Sequence, residues 1–334
     1  MIRTAGCAVG ICALLAASRA ADLPRGGSLL VANKGEHTLG IIDLHSLKQV
    51  AAIPEEGVTG HEVAASPDGK RAFVPIYGNS GVGHPGTDGQ LIRVIDLEAR
   101  KIVGTIDFGK GVRPHCAVFG PKDGLLYVTT ELEKAVAVID PQTLKVIGSV
   151  PTGQEQSHML AISHDGRRGY TANVGPGTVS VLDMQARKTV KIIPVSKVVQ
   201  RIAVSQDDHW VFTADQTQPR LAVIDARRNK LARWVELPDV GYGMAATPDG
   251  AWLLVALSRA GKVAVVDARA MKVAHTVDVP KAPQEICIAP DGLTAYASCD
   301  GSKKVAVINT RNWAMSGTIE AGKGADGLAW ARGE

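Results

Sequence analysis

The chain has 334 residues, of which 45% are hydrophobic and 21% are charged, a balance typical of a folded globular protein. Its 37 basic and 33 acidic side chains give a formal net charge of +4, which offers no argument for nucleic-acid binding. After the first 20 residues, no apolar segment is long enough to span a membrane.

The N-terminal segment, residues 1–20, has the three parts of a secretory signal peptide. Arg3 precedes an apolar run over residues 7–17, and a Ser-Arg-Ala tripeptide ends at residue 20. The apolar run is too short for a membrane span. We therefore predict an exported protein, periplasmic or secreted, whose mature domain covers residues 21–334.

A short motif, Val-x-Val-Ile-Asp or a close variant, recurs seven times in the rest of the chain. Successive motifs end 53, 44, 43, 42, 42 and 42 residues apart. Their last residues, the anchors of the repeat, are Asp43, Asp96, Asp140, Asp183, Asp225, Asp267 and Asn309. A period of about 40 to 45 residues with four short strands per unit is the signature of a β-propeller blade. The repeat therefore predicts an all-β protein, a single seven-bladed β-propeller.

Each repeat unit contains four consecutive strand patterns. The first strand ends in a turn such as ASPDGK at 65–70 or TPDG at 247–250, which joins it to the second strand as a hairpin. The motif strand is the third, and a fourth follows, as in KVAHTV at 272–277. No segment keeps a period of 3.6 residues, so we expect few helices.

The two ends of the mature chain complete one blade. Residues 28–54 supply only the second, third and fourth strands of a blade, and the tail around Leu328–Trp330 matches the missing first strand. Pairing of this tail with the segment Ser28–Ala32 would close the ring and remove exposed sheet edges.

The repeats resemble those of the YVTN β-propeller family, which are seven-bladed bacterial proteins that are secreted or periplasmic. The sequences YVTT at 127–130 and YTAN at 170–173 are close copies of the motif that names the family. The resemblance covers almost the whole mature chain and implies the fold and the export. It implies little about function, because the matching residues are structural and the scaffold serves both binding proteins and enzymes.

The start of the first strand of each blade lies at one mouth of a propeller's central channel. The equivalent position, counted back from the following turn, holds a histidine in three consecutive blades. Around the ring the residues are His61, His115, His158, Gln200, Tyr242, Gln284 and Asp326. Converging imidazoles suit copper, zinc or iron. The alternative is a polar, water-filled channel without a metal.

Two further features lie at the same mouth. The second strands end there with polar residues that include Glu131, Asn173 and Asp215, and Glu131 is the best additional ligand or orienting group. Blade two also has an insertion of about ten residues within segment 77–89, which is rich in glycine and contains His84. A long loop in a regular array is commonly functional. We predict a lid over the mouth, with His84 as a fourth ligand or a gate.

The remaining candidates surround the same mouth. Arg113 and Arg201 are placed to hold an anionic ligand, and Glu62, Glu131 and Glu155 are candidate bases. No GxSxG, P-loop, HExxH or CxxCH pattern is present, so covalent cytochrome haem is excluded while a non-covalent cofactor remains open.

We predict that the protein binds a transition metal ion or another small ligand through the histidines. Two alternatives stay open: a metal-dependent enzyme, either an oxidoreductase or a hydrolase or lactonase, and an interaction scaffold without a metal. We expect a monomer, with another periplasmic protein as a further candidate partner. The sequence leaves open which ligand is bound and whether Cys287 and Cys299 form a disulfide.

Overall fold

A computed structural model describes residues 26–333 of the chain, so the predicted signal peptide at residues 1–20 lies outside the described residues. The described part forms seven four-stranded antiparallel sheets, which confirms the predicted seven-bladed propeller. Its only helical segments are two short 3-10 helices, Glu131–Glu133 and Asp300–Ser302. Within the same residues, no helix is long and apolar enough to cross a membrane.

In chain order, the strands are β1 Gly27–Asn33, β2 Thr38–Asp43, β3 Lys48–Pro54, β4 Ala64–Ala65, β5 Arg71–Gly78, β6 Asp88–Asp96, β7 Lys101–Asp107, β8 Pro114–Phe119, β9 Leu126–Thr130, β10 Ala135–Asp140, β11 Lys145–Pro151, β12 Ser157–Ile162, β13 Arg168–Asn173, β14 Thr178–Asp183, β15 Lys188–Pro194, β16 Val199–Val204, β17 Trp210–Asp215, β18 Arg220–Asp225, β19 Lys230–Glu236, β20 Met244–Ala246, β21 Trp252–Leu257, β22 Lys262–Asp267, β23 Lys272–Asp278, β24 Pro283–Ile288, β25 Thr294–Cys299, β26 Lys304–Asn309, β27 Ala314–Glu320 and β28 Ala325–Arg332. Blade 1 has the order β28-β1-β2-β3, and each later blade is four consecutive strands, from β4–β7 for blade 2 to β24–β27 for blade 7.

The ring is closed by the two ends of the chain, as the sequence predicts. Strand β28 pairs antiparallel with β1, with Trp330 opposite Leu29 and Leu328 opposite Val31. The innermost strands are β4, β8, β12, β16, β20, β24 and β28, and each contacts the next around the ring. The seven innermost strands therefore surround one central channel.

Burial is greatest in the middle strands of each blade and least in the outermost strand. Strand β2 is buried from Leu39 to Ile42, because its two faces pack against neighbouring blades. The outermost strand β3 instead alternates between exposed and partly buried residues over most of its length. The apolar core therefore lies between the blades, and their outer edges face solvent.

The recurring anchor residue caps the turn between the third and fourth strands. The Oδ1 atom of Asp43 accepts a hydrogen bond from the Ser46 amide at 2.6 Å, and Asp267 accepts one from the Ala270 amide at 2.7 Å. These backbone hydrogen bonds lower the pKa of both carboxyls. The fourth residue after each anchor has a left-handed φ between 49° and 56°. The side chain of the anchor thus fixes a turn that each blade repeats.

Deletion of residues 325–334 removes β28 and exposes the edge of β1, so we expect the ring to open. The melting temperature should fall by roughly 10 °C or more, since each kcal/mol corresponds to about 2–4 °C in domains of 150–250 residues. Circular dichroism melts and limited proteolysis measure this effect. Deletion of Glu334 alone leaves β28 whole and is the control. Equal melting temperatures for the two truncations would contradict the role of β28.

Candidate functional site

Several innermost strands are irregular at the mouth, and this irregularity decides which side chains face the channel. The pairing of β8 with β9 skips from Pro114 to Ala117, and the pairing of β16 with β17 skips from Val199 to Ile202. Such bulges leave residues unpaired and redirect their side chains. As a result, the side chains of consecutive residues at a bulge can contact residues on other innermost strands.

Hydroxyl groups of the second strands hold these bulges in place. Thr129 Oγ1 donates to the His158 carbonyl at 2.7 Å and accepts from the Cys116 amide at 2.9 Å. Thr213 Oγ1 donates to the Arg201 carbonyl at 2.6 Å. These threonines are fully buried, so they replace ladder hydrogen bonds that the bulged backbone cannot make.

The structure brings the three histidines together. The ring centroids of His61 and His115 lie 5.5 Å apart, and those of His115 and His158 lie 3.6 Å apart. The Tyr77 ring packs edge-on, 5.3 Å from His61 and 5.2 Å from His115. Gln200 places its Nε2 atom 3.2 Å from His158 Nε2. We call this group the histidine mouth: His61, His115, His158 and Tyr77.

The histidines of the mouth are neutral near pH 7. Burial lowers the pKa of His61 to about 4 and holds those of His115 and His158 well below their ordinary range. The Nδ1 atoms of His115 and His158 are buried, and neither has a hydrogen-bond partner within residues 26–333. Neutral imidazole is the form that binds metals. The mouth therefore contains neutral imidazoles whose buried Nδ1 atoms are unpaired within the described chain.

The spacing of the rings does not suit one ion shared by all three imidazoles in this arrangement. A ligating ring has its centroid about 3.2 Å from the metal, given metal–nitrogen bonds of about 2.0–2.1 Å. The 3.6 Å separation of the His115 and His158 rings then corresponds to only about 70° at the metal, against about 109° for a tetrahedral site. Within the described residues, no group of three or more His, Cys, Asp or Glu side chains could hold a metal ion. The metal site predicted from His61, His115 and His158 is therefore not preformed, and it remains a prediction.

A charged layer adjoins the histidines in the channel. The Arg201 Nη1 atom lies 2.5 Å from Glu62 Oε1 and 2.6 Å from Glu285 Oε2, and Nη2 lies 3.3 Å from Asp326 Oδ1. The guanidinium carbon stands 4.6 Å from the centre of the Tyr242 ring. Three carboxylates already surround Arg201. The predicted role of Arg201 in holding an anionic ligand is therefore corrected, and we call this group the arginine cluster.

Burial and mutual repulsion raise the pKa of Glu62, and burial raises that of Glu285. Sequence reasoning named Glu62 but missed Glu285. Each of Glu62, Arg201 and Glu285 follows directly after its blade's mouth position, so the repeat alignment contained the signal. An alternating strand would turn that residue away from the channel, and only the bulge brings it inward.

Arg113 holds the inserted loop through hydrogen bonds, and carboxylates already pair with its guanidinium as they do with that of Arg201. Its guanidinium donates to the carbonyl oxygens of Gly81 at 3.3 Å and His84 at 2.8 Å. It also contacts the carboxylates of Asp88 at 2.6 Å and Glu131 at 3.1 Å. The loop is therefore held to blade 3 by the buried Arg113 side chain, together with Glu131, which accepts a hydrogen bond from the Gly83 amide at 3.2 Å.

The insertion is shorter than the sequence indicated, because its two ends are strand. Strand β5 continues to Gly78 and β6 begins at Asp88. Tyr77, which the sequence placed in the loop, is buried in the histidine mouth, and its hydroxyl donates to Glu131. The His84 side chain is exposed and lines a separate cavity of about 330 Å³. Other residues around this cavity include Gly83, Arg113, Glu131, Glu155 and Gln156.

Two other predicted site residues form hydrogen bonds within their own blades. Asn173 donates to the hydroxyls of Thr178 at 3.0 Å and Ser180 at 2.9 Å. Asp215 accepts from Arg220 Nε at 3.0 Å. Of the predicted residues at the ends of second strands, Glu131 is the one that contacts Tyr77 and the loop.

The three cysteines of the described chain are free thiols. Cys287 lies opposite Tyr296 in the β24–β25 pair, and Cys299 ends β25. Burial raises the pKa of the Cys116 thiol, near the arginine cluster, to about 12.

Comparisons with known proteins support the fold over about nine tenths of the chain and give a partial family match. Residues 119–237, less than half of the chain, match the family described as Cytochrome D1 heme domain. No curated protein matches the sequence. Membership of the YVTN family therefore stays a prediction.

Three solved structures share the fold. Hydrazine synthase of Kuenenia stuttgartiensis is 18% identical with a TM-score of 0.70, over 89% of this chain and 99% of that chain. A functionally unknown protein from Desulfotomaculum acetoxidans DSM 771 is 14% identical with a TM-score of 0.76, over 92% and 99%. The dihydro-heme d1 dehydrogenase NirN in complex with DHE is 14% identical with a TM-score of 0.66, over 92% and 77%. At these identities, the similarity shows the fold alone.

Replacement of Arg201 by Met removes the cation that Glu62 and Glu285 contact. We expect a loss of about 3–5 kcal/mol in the free energy of unfolding at pH 8, because buried carboxylates are left unpaired. The loss should be smaller at pH 5. In the folded variant these buried carboxyls bind protons more readily than they do in the unfolded chain, so the free energy of unfolding of the variant falls as pH rises.

Urea unfolding of the variant at both pH values measures this effect. Arg227→Met, at an exposed position, is the matched control, and Glu62→Gln added to Arg201→Met should restore part of the loss at pH 8. An equal loss at both pH values would contradict the role of the unpaired carboxylates.

Proposed function

We propose that the histidine mouth binds a transition-metal ligand, and that this ligand is an iron tetrapyrrole of the haem type held without covalent attachment. The observation that carries the proposal is the gathering of three neutral imidazoles at one end of the channel, two of them with unpaired buried nitrogens. A bare ion shared by all three is disfavoured by the spacing of the rings. An iron that already has four equatorial ligands needs one imidazole only.

His61 is the residue best suited to hold the iron of such a group. Its side chain is 26% exposed, whereas His115 and His158 are buried, so a large ligand reaches His61 first. The Asp326 Oδ2 atom lies 3.7 Å from His61 Nδ1 and would orient the ring with Nε2 free. Carboxylates facing the second nitrogen of a ligating histidine serve this purpose in metal sites.

The other groups of the mouth would act on what the iron binds. A bound iron tetrapyrrole supplies one-electron chemistry and an open coordination position. His115 and His158 would present hydrogen-bonding nitrogens to a small molecule there, with Gln200 fixing the His158 ring. Tyr77, hydrogen-bonded to Glu131, would limit how far that molecule enters the channel.

The comparisons support iron among the candidate metals. The matching family and one of the similar structures are named for haem d1, and the absence of a CxxCH motif agrees with non-covalent binding. The predicted signal peptide supports a periplasmic location for this function. Oxidoreductase activity is a second candidate. It is favoured by the cavity beside Glu131, which offers about 330 Å³ for a small substrate.

We expect the mature protein to bind about one haemin per chain, seen as a shift of the Soret band. His61→Ala should weaken binding by about tenfold or more, because the axial bond is lost. His45→Ala, at an exposed turn after β2, is the control and should bind as the wild type does. Equal haemin spectra and affinities for wild type and His61→Ala would contradict axial ligation by His61.

Parallel titrations with copper, zinc and ferrous ions, followed by elemental analysis, separate the alternatives. If a bare ion binds and haemin does not, the ligand of the histidine mouth is a metal ion and not a tetrapyrrole. Binding of none of them would favour the scaffold without a metal.

The histidine contribution to binding should be lost at lower pH than for an ordinary histidine. Because burial lowers the pKa of His61 to about 4, the ring keeps its ligating lone pair until the pH falls through about 4. An unperturbed histidine would lose it near pH 6.5. Haemin titrations over this range measure the midpoint, and a midpoint near 6.5 that disappears in His61→Ala would contradict the neutral mouth.

A further inference from the structure

A buried carboxyl group lies behind the residue that precedes His61. Glu55 is fully buried in the connection between β3 and β4. Its Oε2 atom accepts a hydrogen bond from the Gly60 amide at 2.9 Å. Its Oε1 atom has no hydrogen-bond partner within residues 26–333. A buried carboxyl with only one hydrogen bond is costly, so its retention calls for a reason beyond packing.

The connection from Glu55 to Gly60 holds both sides of the histidine mouth. The Tyr77 amide donates to the Thr59 carbonyl at 3.1 Å, and the Gly78 amide donates to the Val58 carbonyl at 3.0 Å. Gly60 also forms an isolated bridge with Ile76. A shift of this short segment would therefore move His61 and Tyr77 together.

The segment is strained and tightly packed against the carboxyl. Glu56 and Thr59 adopt left-handed φ values of 48° and 57°, which such residues rarely do. A Cβ atom on Gly60 would lie 2.9 Å from both oxygens of Glu55 and 2.7 Å from Val74 Cγ1. The Glu55 carboxyl is thus in close contact with the Gly60 backbone, and the two can move only together.

We propose that Glu55 is a positioning residue for the histidine mouth: its carboxylate, hydrogen-bonded to the backbone of Gly60, sets where His61 and Tyr77 stand. The effect on ligand affinity rests on the proposed function. The effect on the two side chains does not, and it is measurable in the protein without any ligand.

The strength of this contact depends on the charge of Glu55. Burial raises the pKa of Glu55 to about 7, and an ionised carboxylate accepts a stronger hydrogen bond than a neutral carboxyl. Arg93 on β6 faces this segment, but it donates to the carbonyl oxygens of Glu55 and Glu56. The Glu56 side chain and that of His37 in the preceding turn are exposed, and β5 presents apolar Val74 and Ile76. The contact with Gly60 should therefore strengthen as pH rises through about 7, where His61 no longer titrates.

Nuclear magnetic resonance of the ligand-free protein tests the positioning directly. The Gly60 amide and the His61 ring should shift together with a midpoint near pH 7. Glu55→Gln, which has the same shape without the charge, should abolish the shift. Glu56→Gln, at the exposed neighbour, should keep it. Glu55→Asp should keep a titration but displace the Gly60 resonance, because its shorter side chain reaches the amide differently. If the His61 ring of Glu55→Gln matches that of the wild type at every pH, the proposal is overturned.

Haemin titrations near pH 6 and pH 8 test the link to ligand binding. The wild type and Glu56→Gln should bind about threefold to tenfold more tightly at the higher pH, whereas Glu55→Gln should show no such change. If haemin binds at neither pH, the proposed function fails while the resonance experiment still decides the role of Glu55. If haemin binds with the same pH dependence in wild type and Glu55→Gln, the role of Glu55 in binding fails while the proposed function stands.

Discussion

Because β28 pairs with β1, the seven innermost strands surround one axis and their starts converge at one mouth. Buried polar side chains that face this channel must find hydrogen-bond partners in one another. Arg201 from blade 5 meets Glu62 from blade 2, Glu285 from blade 7 and Asp326 from blade 1. The pairing of two terminal strands thus determines a network of charges in the channel.

Charge is arranged in two layers that depend on each other. The arginine cluster places one guanidinium and three carboxyl groups beside the histidines. Burial nevertheless keeps the histidines neutral, and the guanidinium of Arg201 further lowers the pKa of His158. The mouth therefore holds uncharged ligating nitrogens beside a group of carboxylates.

The repeat was sufficient to predict the blades, the closure of the ring and the meeting of His61, His115 and His158. Each of these follows from counting residues relative to a turn. The partners of Arg201 did not follow, because they lie 84, 125 and 139 residues away and face the channel through bulges that break the alternation of a strand. The position of Tyr77 in the histidine mouth was not predicted, because the repeat pattern is interrupted at the insertion and does not show where β5 ends.

Asp326 joins the beginning and the end of the chain at the mouth. It lies on β28, the last strand, and contacts His61, Arg201 and Lys34, which are all made earlier. On a growing polypeptide, the three histidines would emerge long before the carboxylate that orients one of them. The mouth is therefore completed only when the final strand docks, so the histidines reach their final surroundings at the last step of folding. Maturation of the site and completion of the fold are the same event in time.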